Sequence, residues 1–191
     1  MNNPVGQKNR PWQARCTFLN GDTVTITDGT PVVLIVNGTG DGYTVCNPSS
    51  ATAGKTAGLF VGIACAPNSW TVGSYNDVIS GGYVYNATMV VATRSATSAV
   101  WASYTNWGVG DLCSIDTVNN ALAWSATHPA GASPYINLLD SIASATTYGS
   151  ATSNTLVTWT NSLNTNFTAL SLSTAATVAT ISVRVFLHNL G

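Results

Sequence analysis

The sequence predicts an all-β protein, a small β-barrel or jelly-roll-like β-sandwich with an extended N-terminal arm and at most short helices. Two observations favour this class: short segments alternate polar and apolar residues, and Gly, Asn, Pro and Ser turns separate them. With 191 residues, the chain is long enough to bury a core without disulfides or metals. We expect one β domain over residues 16–191, with a Ser/Thr/Asn-rich insertion around 144–177.

Residues 1–15 form the predicted arm, which is rich in Pro and Asn and holds three of the chain's six Lys and Arg residues. A segment of this composition is expected to be extended and to have little order of its own. It is either a loose terminus or a tether that docks on a partner. In the second case the candidate contact residues are Lys8, Arg10, Pro11, Trp12 and Arg15.

The first half of the β domain contains four candidate strands. Pro31–Val36 is an uninterrupted apolar run, which is typical of a buried strand, and a Gly-rich hairpin-type loop follows it. The other three candidates alternate or are β-branched. They are Thr23–Thr27, Tyr43–Cys46 and Leu59–Ala66.

The second half contains six more candidate strands. They are Gly82–Asn86, Thr88–Thr93, Gly110–Ile115, Ala121–Ser125, Thr155–Trp159 and Val178–His188. The last is the clearest, because four apolar residues from Ile181 to Leu187 point one way while Ser182, Arg184, Phe186 and His188 point the other. Residues 135–143 fit either two helical turns or a bulged strand, and the sequence does not separate these alternatives.

Charged residues make up only 7% of the chain, against about a quarter in an average soluble domain. So few cations exclude a nucleic-acid footprint and a basic helix on a membrane surface. No apolar run reaches the roughly 18 to 20 residues of a membrane-spanning helix, and the N-terminus lacks the apolar core of a signal peptide. A neutral surface of Thr, Ser and Asn suits either a protein packed against neighbours or a merely neutral domain.

No catalytic constellation emerges, so we predict that the protein is not an enzyme. Gly54-Lys55-Thr56 ends like a phosphate-binding loop, but Ser49 stands where its first Gly belongs and a strand-like run follows. The only histidines available as bases are His128 and His188. Four of the acidic residues sit in turns, where such side chains commonly cap their own backbone, namely Asp22, Asp28, Asp41 and Asp111.

The cysteines are too widely spaced in sequence to indicate a metal site, and we expect neither a metal nor another cofactor. Reduced, buried thiols are the favoured interpretation of Cys16, Cys46, Cys65 and Cys113. Trp101, Tyr104 and Trp107 cluster within seven residues. They are candidates for a core plug, a carbohydrate platform or an interface anchor.

Several segments, taken in order, resemble the small capsid decoration (cement) proteins of tailed bacteriophages. The likeness covers roughly residues 20–125 and 178–188 and rests on short motifs. These are Asp22–Ile26 before Gly29–Val33, Leu59–Ala64, Asp77–Tyr85, Val109–Cys113 with Asn119–Trp124, and Val183–Leu187.

The resemblance implies a non-enzymatic virion protein, made in the host cytoplasm and seated as a homotrimer on the outside of an icosahedral head. There it would bind the major capsid protein and stabilise the lattice. The alternative is a carbohydrate-binding or host-recognition β-sandwich of a phage fibre or spike, with Trp101, Tyr104 and Trp107 stacking on sugars. A hydrolase is a third hypothesis, disfavoured because no convincing base is present.

Overall fold

The computed structural model describes residues 12–35, 42–51, 57–93, 102–103, 107–125, 136–140, 146–150, 153–157, 169–171 and 178–188. Almost all regular structure in these ranges is strand, which confirms the predicted all-β class. The elements are β1 (Gln13–Asn20), β2 (Pro31–Ile35), β3 (Thr44–Cys46), α1 (Pro48–Ala51), β4 (Ala57–Cys65), β5 (Tyr75–Thr93), β6 (Ala102–Ser103), β7 (Leu112–Asp116), β8 (Ala121–Ser125), β9 (Ile136–Leu138), β10 (Thr146–Ser150), β11 (Ser153–Val157), β12 (Ala169–Ser171) and β13 (Val178–Leu187).

Strand pairing closes two rings that share the 19-residue strand β5. The first ring runs β1-β3-β2-β4-β5 and returns to β1. The second runs β5-β13-β9-β7-β8 and returns to β5 through the pair Met89 and Leu122. Closing both rings leaves few free strand edges in the main sheet, and it makes β5 the wall common to both.

Each ring encloses an apolar cluster. Inside the first ring, Trp70, Ile26 and Val78 are fully buried. Inside the second, Met89, Leu122 and Val185 are fully buried. Alternation along β4 and β5 assigns neighbouring residues to different clusters, so that Val78 packs in the first and Ile79 in the second. Strand β5 therefore places apolar side chains on both of its faces, one face toward each cluster.

The rings meet at Gly82, which pairs with Gln13 of β1 and with Leu187 of β13. Gly82 has φ of +88°, and a Cβ atom there would collide with the backbone carbonyl of Trp12. The N–H of Tyr83 donates to that carbonyl at 3.1 Å. A side chain at position 82 is thus excluded both by backbone conformation and by space.

A second junction joins the turn at Asp28 and Gly29 to the middle of β5. The Asp28 carboxylate accepts hydrogen bonds from Asn86 Nδ2 and, at 2.7 Å, from the N–H of Ala66. The carbonyl of Gly29 accepts from the N–H of Thr88 at 2.9 Å. This turn of the first ring is therefore fixed on the part of β5 that belongs to the second ring.

Most predicted strands are present, several with shifted ends. Ala121–Ser125 has the predicted bounds, and the predicted alternation along Val178–His188 is confirmed by buried Val183, Val185 and Leu187. The predicted strand Thr23–Thr27 is wrong, since only Ile26 forms an isolated bridge, to Trp70. The side chains of Asn20 and Asp22 bind the backbone of this segment and hold it in a turn.

Two other ambiguities of the sequence are decided by the structure. The predicted strands Gly82–Asn86 and Thr88–Thr93 are parts of one continuous strand, β5. Residues 136–138, in the segment compatible with helix or strand, form β9. Strand β1 begins at Gln13, so residues 13–15 of the predicted arm pair with β5.

A separate three-stranded sheet lies within the predicted 144–177 insertion. In it, β11 pairs antiparallel with β10 on one side and with β12 on the other. The predicted strand Thr155–Trp159 overlaps β11, which runs from Ser153 to Val157.

We predict that Gly82→Ala destabilises the protein by about 3 kcal/mol or more, because it adds backbone strain and a collision with the Trp12 carbonyl. The matched control is Gly73→Ala. Gly73 has φ of +74° but nothing within 4 Å of its Cβ position, so only the strain of about 1 kcal/mol remains. Urea unfolding measures both losses. Equal losses of unfolding free energy in the two variants would contradict the close approach of the Trp12 backbone to Gly82.

Candidate interaction surface

The described aspartates are occupied in holding the fold. All six accept hydrogen bonds within the chain; they are Asp22, Asp28, Asp77, Asp111, Asp116 and Asp140. Asp111 caps its own turn, as predicted, because its carboxylate accepts from the N–H of Gly108 at 2.7 Å. Asp111 also accepts from Trp124 Nε1 at 3.0 Å, so it joins a turn to a strand. Asp41 lies outside the described residues.

Asp22 is the most buried of these carboxylates, with 3% of its surface exposed. Burial alone would raise the pKa of Asp22, but hydrogen bonds from Ser50, Asn47 and Thr23 outweigh it and hold the pKa below the ordinary 3.8. The donors include Ser50 Oγ at 2.7 Å and the N–H of Asn47 at 2.8 Å. An acid held ionised by so many donors is suited to fixing loops rather than to giving up a proton.

Other titratable groups in the described ranges are bound within the chain or lie apart from one another. Asp140 binds Arg184 by an ion pair and accepts from its backbone N–H at 2.7 Å. Within these ranges, no three His, Cys, Asp or Glu side chains come together as a metal site. His188 is exposed, and His128 lies outside the described residues.

All four cysteines are free. Cys46 and Cys113 are buried as predicted, and desolvation, followed by the charge of Asp111, raises the pKa of the Cys113 thiol to about 12. Cys65 is partly buried and packs against the core of the second ring. Cys16 is exposed, which corrects the expectation that all four thiols are buried, because it lies in the exposed middle part of β1.

The predicted aromatic cluster does not form a surface platform at Trp107. This residue is only 3% exposed and belongs to the core of the second ring, which is the core-plug alternative. Its Nε1 is buried and has no hydrogen-bond partner. Trp101 and Tyr104 lie outside the described residues, as do Lys8, Arg10 and Pro11 of the predicted arm.

A different set of aromatic side chains does reach the surface. We call Trp12, Tyr83, Phe186 and His188 the aromatic face. Tyr83 and Phe186 are register partners on β5 and β13, with ring centroids 5.1 Å apart at an interplanar angle of 80°. Phe186 and His188 stack edge to face in the same way, at 5.1 Å and 79°. Trp12 remains 54% exposed and Tyr83 38% exposed.

Trp12 is held in place where the two rings meet, at Gly81 and Gly82. The nearest atoms to a Cβ built on Gly81 belong to the Trp12 ring, at 3.3 Å, so the indole lies against this glycine. Gln13 adds a second tie, because its Nε2 donates to the carbonyl of Tyr83 at 2.7 Å. The predicted contact residue Arg15 is exposed, and its guanidinium donates to the Gln13 side chain at 2.8 Å.

Polar side chains hold the other border of the aromatic face. His188 Nε2 and Asn137 Oδ1 lie 2.6 Å apart, and since an amide oxygen only accepts, the imidazole donates from Nε2. The Asn137 amide in turn donates to the carbonyl of Gly110 at 2.7 Å. The side chains at this border are therefore held by hydrogen bonds within the chain.

The aromatic face offers flat apolar rings, a phenol and an imidazole, which are groups that protein interfaces commonly use. One signal in the sequence pointed to it: Phe186 is a large aromatic residue on the polar side of an alternating strand. Its neighbour Tyr83 is 103 positions away, so the pairing itself required the register of β5 and β13.

We predict that Asp22→Asn destabilises the protein by about 2 kcal/mol at neutral pH, because an amide cannot accept from all the donors around position 22. As pH falls below the ordinary value of 3.8, the unfolded carboxyl binds its proton before the folded one, so the advantage of wild type shrinks. Unfolding free energies measured across this range check the prediction. A pH-independent difference between the two proteins would contradict it.

For Trp107, the buried position predicts a large loss of stability on truncation. Trp107→Ala is expected to cost about 3–5 kcal/mol through the cavity it leaves. Trp107→Phe is expected to cost much less, because it fills most of the space and removes the unsatisfied Nε1. Guanidinium unfolding decides between core and surface: a stable Trp107→Ala variant would restore the surface assignment.

The comparisons with known proteins give no family for this chain. The chain matches no protein-family model, no curated protein and no solved structure. In the described part of the chain, no helix has the length and apolar character needed to cross a membrane.

Proposed function

We propose that the protein is a capsid decoration protein, which binds the outer surface of an icosahedral phage head as a homotrimer and reinforces contacts between major capsid subunits. The observation that carries this proposal is the aromatic face, an exposed and preorganised set of rings at the point where the N-terminal segment joins the fold. Exposed aromatic side chains of this kind are typical anchors of protein interfaces.

The charge distribution supports a protein partner. The formal net charge is −1, and all six described aspartates accept hydrogen bonds within the chain. A surface with few charges can be buried against another protein without leaving unpaired charges, each of which would cost several kcal/mol. On a lattice the same weak contact is repeated, so a modest surface per copy suffices.

The alternative of a carbohydrate-binding module keeps less of its support, because Trp107 is buried, while Trp101 and Tyr104 lie outside the described residues. Aromatic rings and amide groups recognise sugars as well as proteins, so a glycan is the competing ligand for the aromatic face. Neutral sugars therefore serve as competitors when binding to heads is measured.

The direct test mixes the purified chain with heads of the phage that encodes it, assembled without this protein. We expect the chain to sediment with the heads and to form ordered density on their outer surface, arranged in threes. A chain that remains in the supernatant, or heads without added density, would overturn the proposal. Light scattering of the free protein measures whether the trimer exists before docking.

A further inference from the structure

We propose that the protein associates with copies of itself through a second apolar surface, at the end of the first ring remote from the aromatic face. We call Val24, Tyr43, Val72 and Tyr75 the apolar end. This inference rests on the proposed function for the number of copies, which is three. It adds the surface on which the copies meet, around one three-fold axis.

The two tyrosines of the apolar end flank the last part of β1. Leu19 pairs with Thr44 of β3 on one side and with Tyr75 of β5 on the other. The N–H of Leu19 also donates to the carbonyl of Tyr43 at 2.9 Å. Tyr75 is 62% exposed and Tyr43 is 47% exposed. The backbone at both positions is therefore fixed on β1, while about half of each side chain lies in solvent.

The two valines lie at the same end, because Asn20, the last residue of β1, binds the backbone of both turns that carry them. Its Nδ2 donates to the carbonyl of Val24 at 3.2 Å. Its own carbonyl accepts from the N–H of Gly73, the neighbour of Val72, at 2.9 Å. Val24 is 50% exposed and Val72 is 52% exposed. One strand end thus brings four exposed apolar side chains together.

The area of the apolar end predicts weak association. A buried aromatic side chain covers about 150–250 Å², so these half-exposed side chains together offer roughly 300 Å². An apolar patch of this size is typical of an interaction site, but stable interfaces bury about 800 Å² on each partner. Around a three-fold axis each copy contacts two neighbours, so two contacts instead of one hold it in place. We therefore expect a trimer that depends on concentration.

The charges near the apolar end favour a second copy over a lipid surface. The only Lys and Arg residues that the structure describes are Arg15 and Arg184. Arg184 is held in an ion pair, and Arg15 lies four positions before Leu19, roughly 13 Å away along β1. Asp77 accepts from Thr17 Oγ1 at 3.0 Å and lies diagonally from Arg15, so this border is neutral in sum. Binding to a membrane surface draws on clustered cations, whereas a second copy requires none.

The apolar end and the aromatic face can be covered at the same time. Tyr75 and Tyr83 are eight residues apart on β5, which corresponds to roughly 26 Å along the strand. Strand β1 spans the same distance, since it pairs with β5 from Gln13 to Leu19. Three copies that meet at their apolar ends therefore leave each aromatic face free to dock.

Sedimentation velocity of the purified full chain tests the association between about 1 and about 500 µM, the range of weak interfaces. We expect a shift from monomer to trimer. The variant Tyr75→Thr/Val72→Thr is expected to associate at least about tenfold more weakly, with an unchanged unfolding transition, because Thr preserves strand propensity at exposed positions. The matched control Tyr85→Thr/Val109→Thr removes the same two side-chain types at sites 52% and 60% exposed, and is expected to associate as wild type does.

A charge-pair experiment tests whether the copies meet at the same residue. Tyr75→Lys and Tyr75→Asp each place like charges around the axis, so each variant alone is expected to lose the trimer. An equimolar mixture brings opposite charges together there and is expected to recover association. A mixture that stays monomeric would mean that position 75 of one copy does not face position 75 of the next, and it would overturn the inference.

The outcomes separate the two proposals. A monomer at all concentrations, an oligomer of another size, or a trimer that Tyr75→Thr/Val72→Thr leaves intact overturns this inference, while binding to heads is still decided by the density on their surface. A trimer that depends on the apolar end but does not bind heads overturns the proposed function alone. If neutral phosphatidylcholine vesicles sediment the wild-type chain but not this double variant, the apolar end is a lipid-binding site and the self-association is wrong.

Discussion

The fold depends on one constraint, the passage of strand β5 from one ring to the other at Gly81 and Gly82. A single strand can serve two rings only if its partners change along its length, and Gly82 is the residue at which β1 gives way to β13. The absence of a side chain there lets the backbone of Trp12 approach. The same feature that joins the rings therefore fixes the point where the N-terminal segment enters the fold, and it places Trp12 beside Tyr83.

The few acidic residues of the chain have structural roles. The aspartates are placed where loops must be fastened to strands: Asp28 holds the first ring to the middle of β5, and Asp140 holds β13. Of the described aspartates, Asp22 and Asp140 are buried and the other four are half-buried. Exposed aromatic rings are a feature that protein-binding surfaces commonly use.

Local patterns predicted the strand content well, because alternation and turn residues are set by neighbours in sequence. They failed where long-range or side-chain effects dominate. At Thr23–Thr27 the side chains of Asn20 and Asp22 compete successfully with strand pairing. The sequence left Trp107 open between a core and a surface position, and only the packing places it in a core. The aromatic face joins residues far apart in sequence, so only the register of the strands could reveal it.

The central claim is that the aromatic face is covered when the protein is docked. Hydroxyl-radical footprinting of the free and head-bound protein tests it most directly, because it reports the solvent exposure of individual aromatic side chains. We predict that oxidation of Trp12, Tyr83 and Phe186 falls on docking, while oxidation of the exposed Tyr43 and Tyr75 at the far end of the first ring stays the same. Protection of Tyr43 and Tyr75 with unchanged oxidation of Trp12 and Tyr83 would contradict it.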